Sequence, residues 1–130
     1  PIMMRLNSDL VPLCISACKG ELDGADIDFD SRAAVGVVLA AGGYPGSYAK
    51  GEVISGLDIA QPSDRKVFHA GTANKDGQVV TAGGRVLCAT ALGESVTVAQ
   101  KAAYELLHQV TWKDVEFRTD IAYRAIAREQ

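Results

Sequence analysis

The chain has 130 residues, 48% of them hydrophobic and 22% charged, a length and balance that fit one globular domain with its own hydrophobic core. Its net charge of -3 and pI near 5.3, with no lysine-rich run or basic stripe, argue against nucleic acid or a membrane surface as a partner. It contains no run of about 18 apolar residues, and Pro1-Ile2-Met3-Met4-Arg5 lacks the charged-then-apolar order of an export signal, so a cytoplasmic location is expected.

Ile2-Met3-Met4 is an apolar tripeptide where a terminus is ordinarily polar, and it reads as a strand edge in need of a partner. Ser8 is the predicted N-cap of an amphipathic helix, with Asp9 in its first turn and Leu10, Leu13, Cys14, Ala17 and Cys18 recurring at helical spacing until Gly20. Pro12 is compatible only with the first turn, where its missing N–H breaks no internal bond. The three cysteines, Cys14, Cys18 and Cys88, read as small core residues of a protein kept reduced, and neither His69 nor His108 completes a zinc pattern with them. Residues 20–30 carry five acids, Glu21, Asp23, Asp26, Asp28 and Asp30, but lack the ligand order of a calcium loop and are predicted to be a solvated connector.

The apolar, β-branched run Val35 to Ala41 predicts a strand covered on both faces. It leads into Gly42-Gly43-Tyr44-Pro45-Gly46-Ser47-Tyr48, a loop able to aim several backbone N–H groups one way but without the Gly-Lys-Ser/Thr ending of a Walker loop. A weak strand pair is expected over 52–59 and a turn over 61–64. Strands at 66–70, 78–82 and 85–92 are expected to run consecutively antiparallel, with Asp76-Gly77 turning the first into the second. That arrangement puts Gly83-Gly84 at the opposite sheet end and brings His69 toward Arg85. Ser95 caps the clearest helix, with Val96, Ala99, Ala103, Leu106, Leu107 and Val110 on its apolar side and His108 near its C-terminus in a structural role. Trp112 and Phe117 flank a short strand, and Tyr123 to Gln130 forms a last helical turn or two. The whole reads as an N-terminal helix followed by an α+β unit.

The chemistry-bearing feature is Gly83-Gly84-Arg85, which opens the apolar run Val86 to Leu92. Glycines permit a turn with φ > 0 and close backbone approach, and a guanidinium offers a planar fork of donors to phosphate or carboxylate. Two readings stand: an anion site, or a plain strand turn beside a solvated arginine.

Four segments then fall in a familiar order. Pro1-Ile2-Met3-Met4-Arg5-Leu6 with Ser8-Asp9-Leu10, the Val-Val-x-Ala-Ala-Gly-Gly-Tyr-Pro-Gly block from Val37, Lys66 to Thr72, and Val79-Val80-Thr81-x-Gly83-Gly84-Arg85-Val86-Leu87 resemble the phosphoribosylamine–glycine ligase family. The tail Arg118-x-Asp120-Ile121-x-Tyr123-Arg124-Ala125-Ile126 is similar too, although Ala122 stands where glycine is expected. The resemblance implies the C-terminal part of an ATP-grasp ligase of purine biosynthesis. Its fold would be α+β, a mainly antiparallel sheet forming a partial barrel with packed helices, preceded by the last strand and helix of an ATP-grasp lobe. Residues 1–29 would be that remnant and 30–130 the C-terminal domain.

In such a ligase, ATP phosphorylates the carboxylate of glycine, and the amine of phosphoribosylamine displaces phosphate to give glycinamide ribonucleotide. The family uses ATP with Mg2+ (or Mn2+), and its metal-ligating Arg-Phe-Gly-Asp-Pro-Glu segment lies just before the match to Pro1. The 130 residues are therefore expected to bind neither ATP nor metal alone and to be inactive without the remainder of the ligase chain. The resemblance gives no catalytic or metal-ligating residue here. It gives Arg85, Gly83 and Gly84, with His69 and Tyr44 nearby, as candidate phosphate-binding residues. Two alternatives stay open: a purely structural packing domain, and the C-terminal domain of another ATP-grasp carboxylate–amine ligase.

Overall fold

Strand β1 (Ala33–Ala41) runs through the centre of the computed structural model, which describes residues 1–59 and 61–129. Its side chains alternate as a pleated strand requires: Val35, Val37, Leu39 and Ala41 are buried, while Val38 is 40% exposed. One face is closed and the other is partly open, against the expectation of cover on both sides. The continuous apolar run misleads because the open face also carries apolar residues, Ala34, Gly36, Val38 and Ala40.

Strand β1 lies between β5 (Arg85–Gly93) and the short β6 (Val115–Glu116), and β2 (Arg65–His69) flanks β5 on the far side. All pairs in this order, β2-β5-β1-β6, are antiparallel. Helix α3 (Val96–Leu107) covers the closed face, burying Ala99, Ala102, Ala103, Leu106 and Leu107 against it. Its alanines let the helix approach the sheet closely, while Leu39, Leu87 and Leu107 fill the core, each contributing about 1.5–3 kcal/mol on burial. Ser95 caps α3 as expected, its Oγ accepting the Val98 N–H at 3.2 Å. His108 ends the helix with Nδ1 at 2.6 Å from the Tyr104 carbonyl oxygen and its ring edge-on to Phe117, which is a structural role.

The hairpin differs from expectation. Asp76-Gly77 does turn through the left-handed region, with φ of 51° and 78°, but it joins β3 (Thr72–Lys75) to β4 (Gln78–Thr81). Strand β2 pairs with β5 instead, His69 standing opposite Leu87. The chain changes partner at Gly71, whose N–H donates to the Arg85 carbonyl and whose own carbonyl accepts the Ala82 and Gly83 N–H groups. The strand pair expected over 52–59 is reduced to single bridges, Val53 with Val80 and Ser55 with Thr111.

The N-terminal strand is absent as well. Ile2–Arg5 is a helical turn, α1, with the Met4 N–H donating to Pro1 and the Leu6 N–H to Ile2. A strand must share its backbone groups with a neighbour, whereas the Pro1 and Ile2 carbonyls accept from within the same turn; hydrogen bonds to another segment begin at residue 5, through Asp30 N–H to Arg5 O and Asn7 N–H to Asp28 O. Helix α2 (Leu10–Lys19) is present, with Pro12 in its first turn and Gly20 closing it at φ 73°. Its N-cap is Asp9, which accepts the Val11 N–H, whereas Ser8 turns its Oγ to the Asp28 N–H. No residue of α2 is buried, so Cys14 and Cys18 are exposed thiols and not core residues; Cys88 is half-buried in β5. Residues 20–30 form an irregular, mostly exposed connector that ends at Asp30, held bidentately by Arg32. At the C-terminus, α4 (Tyr123–Ile126) supplies the expected helical turn; Gln130 lies outside the described residues.

Candidate functional site

Arg85 owes its direction to an irregularity in the pairing of β1 with β5. Leu39 pairs with Leu87 and Ala40 with Arg85, so Val86 is an extra residue on β5. In a regular ladder Arg85 would share the closed face with Leu87. The extra residue instead places it beside Ala40, on the open face that carries Val38, and Arg85 is exposed while Val86 and Leu87 are fully buried.

Two clefts meet at this arginine. One, of about 590 Å3, is lined by Val38, Tyr44, Gly71, Gly84, Arg85 and Cys88 among others. The second, of about 310 Å3, is lined by Val38, Ala40, Tyr44, Arg85, Glu116, Phe117 and Arg118. Arg118 is already neutralised by Asp120, with guanidinium-to-carboxylate distances of 2.6 and 2.8 Å. Among the described residues Arg85 makes no salt bridge, so of the two arginines lining these clefts it is the one without a carboxylate partner.

The glycines serve closeness and not a left-handed turn. Neither Gly83 nor Gly84 has positive φ. A Cβ on Gly84 would overlap the ring edge of Tyr44 and lie 3.1 Å from Tyr48 Cε1, and one on Gly83 would lie 3.1 Å from the Gly71 Cα. Gly43 is the position in the neighbouring loop that does need left-handed backbone, at φ 90°, just before the cis Tyr44–Pro45 peptide. The loop is pinned by Tyr44 N–H to Ala41 O and by Gly43 N–H to Glu116 Oε1.

The sequence model described as "Phosphoribosylglycinamide synthetase, C domain" matches residues 34–124. The chain belongs to this family. Proteins named phosphoribosylamine–glycine ligase from Vibrio cholerae and Pseudomonas aeruginosa are each 62% identical to it over 130 residues, and one from Vibrio vulnificus is 60% identical. Each alignment covers 100% of this chain but 30% of the relative, so the chain spans under a third of the length of those relatives. The crystal structure of phosphoribosylamine–glycine ligase from Thermotoga maritima superposes with a TM-score of 0.64 at 36% identity, covering 82% of this chain and 27% of that one.

In this synthetase C domain, three of the five residues singled out from sequence, Tyr44, Gly84 and Arg85, line a common cleft. Gly83 lies one residue behind, with its N–H turned to the Gly71 carbonyl. His69 stands at the end of edge strand β2, its Nδ1 3.1 Å from Thr72 Oγ1, and is not among the residues lining either cleft. Gly71, Val38 and Glu116 also line the clefts and are not among the residues singled out from sequence. Gly71 had a signal, since a glycine directly after a strand invites close backbone approach. Glu116 had none, because a strand of two residues shows no periodicity.

Proposed function

We propose that this chain is the C-terminal domain of a phosphoribosylamine–glycine ligase and that Arg85 holds an anionic group of the substrate against the open face of the sheet. The ligase joins glycine to phosphoribosylamine: ATP phosphorylates the glycine carboxylate, and the substrate amine displaces phosphate to give glycinamide ribonucleotide, ADP and phosphate. The observation that carries the site assignment is the unneutralised Arg85 guanidinium at the junction of two clefts, in a chain of this family. Gly84 and Tyr44 shape the cleft wall, and Gly83 and His69 support the turn from outside it.

Among the described residues no three His, Cys, Asp or Glu side chains converge as a metal site. Nucleotide and metal chemistry belong to the preceding ATP-grasp lobe in this reading. Residues 1–29 are assigned as the end of that lobe and 30–130 as the C-terminal domain. The exposed apolar side chains of α2 support this division, Leu10, Val11 and Ile15 being 43, 63 and 50% exposed, as does the family match beginning at residue 34. The remainder of the ligase chain is the partner that covers α2. The bridges of residues 53 and 55 to β4 and to Thr111 support a partial barrel. No helix among the described residues is long and apolar enough to cross a membrane, and a cytoplasmic location is part of the same proposal.

Assay of the full-length protein tests this reading. Formation of glycinamide ribonucleotide and ADP from glycine, phosphoribosylamine and ATP is expected; turnover only with a different carboxylate or amine would reassign the domain to another ligase.

A further inference from the structure

We propose that Glu116 forms the second pole of the Arg85 cleft, accepting hydrogen bonds from the hydroxyl or amine donors of the same molecule whose anionic group Arg85 holds. The inference rests on the proposed anion site and adds to it a carboxylate that selects a phosphorylated sugar or amino sugar over a bare anion. Glu116 and Arg85 are both partnered across the sheet to Ala40, one from β6 and one from β5. Their Cα atoms are therefore two strand spacings apart, about 10 Å, with only a methyl group on the strand between them. Both line the smaller cleft and both are exposed, yet among the described residues no salt bridge joins them.

Opposite charges in one cleft that leave each other unpaired make a bipolar cradle. Glu116 spends one contact on the loop, with its Oε1 3.3 Å from the Gly43 N. A carboxylate has about four lone-pair positions, so most of the accepting capacity of this cleft-lining group is unfilled. Tyr44 and Phe117 supply flat apolar walls to the same space. A small anion such as phosphate would meet Arg85 and be repelled by Glu116. A sugar phosphate would satisfy both ends.

Calorimetric titration of the full-length protein with inorganic phosphate and with ribose 5-phosphate tests the pairing. Glu116→Gln keeps the size and the Gly43 contact but loses the charge; it is expected to weaken ribose 5-phosphate about tenfold, as loss of a charge-assisted hydrogen bond does, and to leave inorganic phosphate unchanged or slightly tighter. Glu116→Asp, which shortens the reach, should move the same way. Arg85→Ala should weaken both ligands. If Arg85→Ala weakens both while neither Glu116 variant affects ribose 5-phosphate selectively, this inference fails and the anion site stands. If Arg85→Ala changes neither, the anion site fails and takes this inference with it.

Discussion

The ring edge of Tyr44 rests against the Cα of Gly84, close enough that any side chain at residue 84 would occupy the same space. The contact couples the loop after β1 to the start of β5, and so fixes one wall of the cleft next to Arg85. It gives the Gly83-Gly84 pair a packing reason, where its sequence alone pointed to an unusual turn.

Gly84→Ala should therefore destabilise the domain by about 1–3 kcal/mol, the range for forcing extra volume into a packed site. In a Tyr44→Ala background the two closest atoms are gone and only Tyr48 Cε1, at 3.1 Å, still crowds the new methyl, so the same substitution should cost clearly less. Urea midpoints of the four proteins check the coupling; equal costs in both backgrounds would show that the ring is not what residue 84 meets.

Ala122 occupies the left-handed region at φ 69°, at the N-cap of α4, and it is the position where the family resemblance leads one to expect glycine. A left-handed non-glycine residue costs about 1–2 kcal/mol, and glycine gives back about 0.4–1 kcal/mol through the freedom of its unfolded chain. Ala122→Gly should raise stability by about 0.5–1 kcal/mol, read as a higher urea midpoint. A lower midpoint would contradict the backbone assignment.

Glu129 closes the C-terminal segment onto the start of α3, its carboxylate accepting the Val96 and Thr97 N–H groups and the Thr97 hydroxyl. The Val96 N–H is the chief cause holding its carboxyl below the usual glutamate range. A lowered folded pKa means a contribution fully present above the ordinary glutamate value and lost as pH falls through the folded one. Carboxyl NMR titration should give a depressed midpoint for Glu129, and Glu129→Gln should flatten the acid limb of the stability profile. An unshifted midpoint would remove the contact from the account. Asp30, held to about 2 mainly by the Arg32 side-chain hydrogen bonds, loses its contribution as pH falls from the ordinary aspartate range through that value.

Elements with a strong period or cap were legible in the sequence. Helix α3 is legible down to its capping Ser95 and to the buried Ala99, Ala103, Leu106 and Leu107, though not to Ala102, because a 12-residue amphipathic helix repeats its signal several times. The Asp76-Gly77 turn was legible because its backbone demand is local. Its partners were not: β3 reads Thr-Ala-Asn-Lys, largely exposed, with no apolar alternation to announce a strand. That Arg85, Gly84 and Tyr44 belong together was legible, since all three line one cleft, but not the reason Arg85 faces outward. That reason is the extra residue Val86, which exists only relative to the partner strand. For the same cause Glu116 was invisible, since what makes it interesting is the Ala40 between it and Arg85.

The most direct measurement is steady-state kinetics of the full-length enzyme carrying Arg85→Ala, with Arg85→Lys beside it. The account predicts a KM for phosphoribosylamine raised, or turnover lowered, by about tenfold or more in the alanine variant, with partial recovery in the lysine variant and little change in the KM for ATP. Kinetic constants for phosphoribosylamine equal to those of the wild type would contradict it.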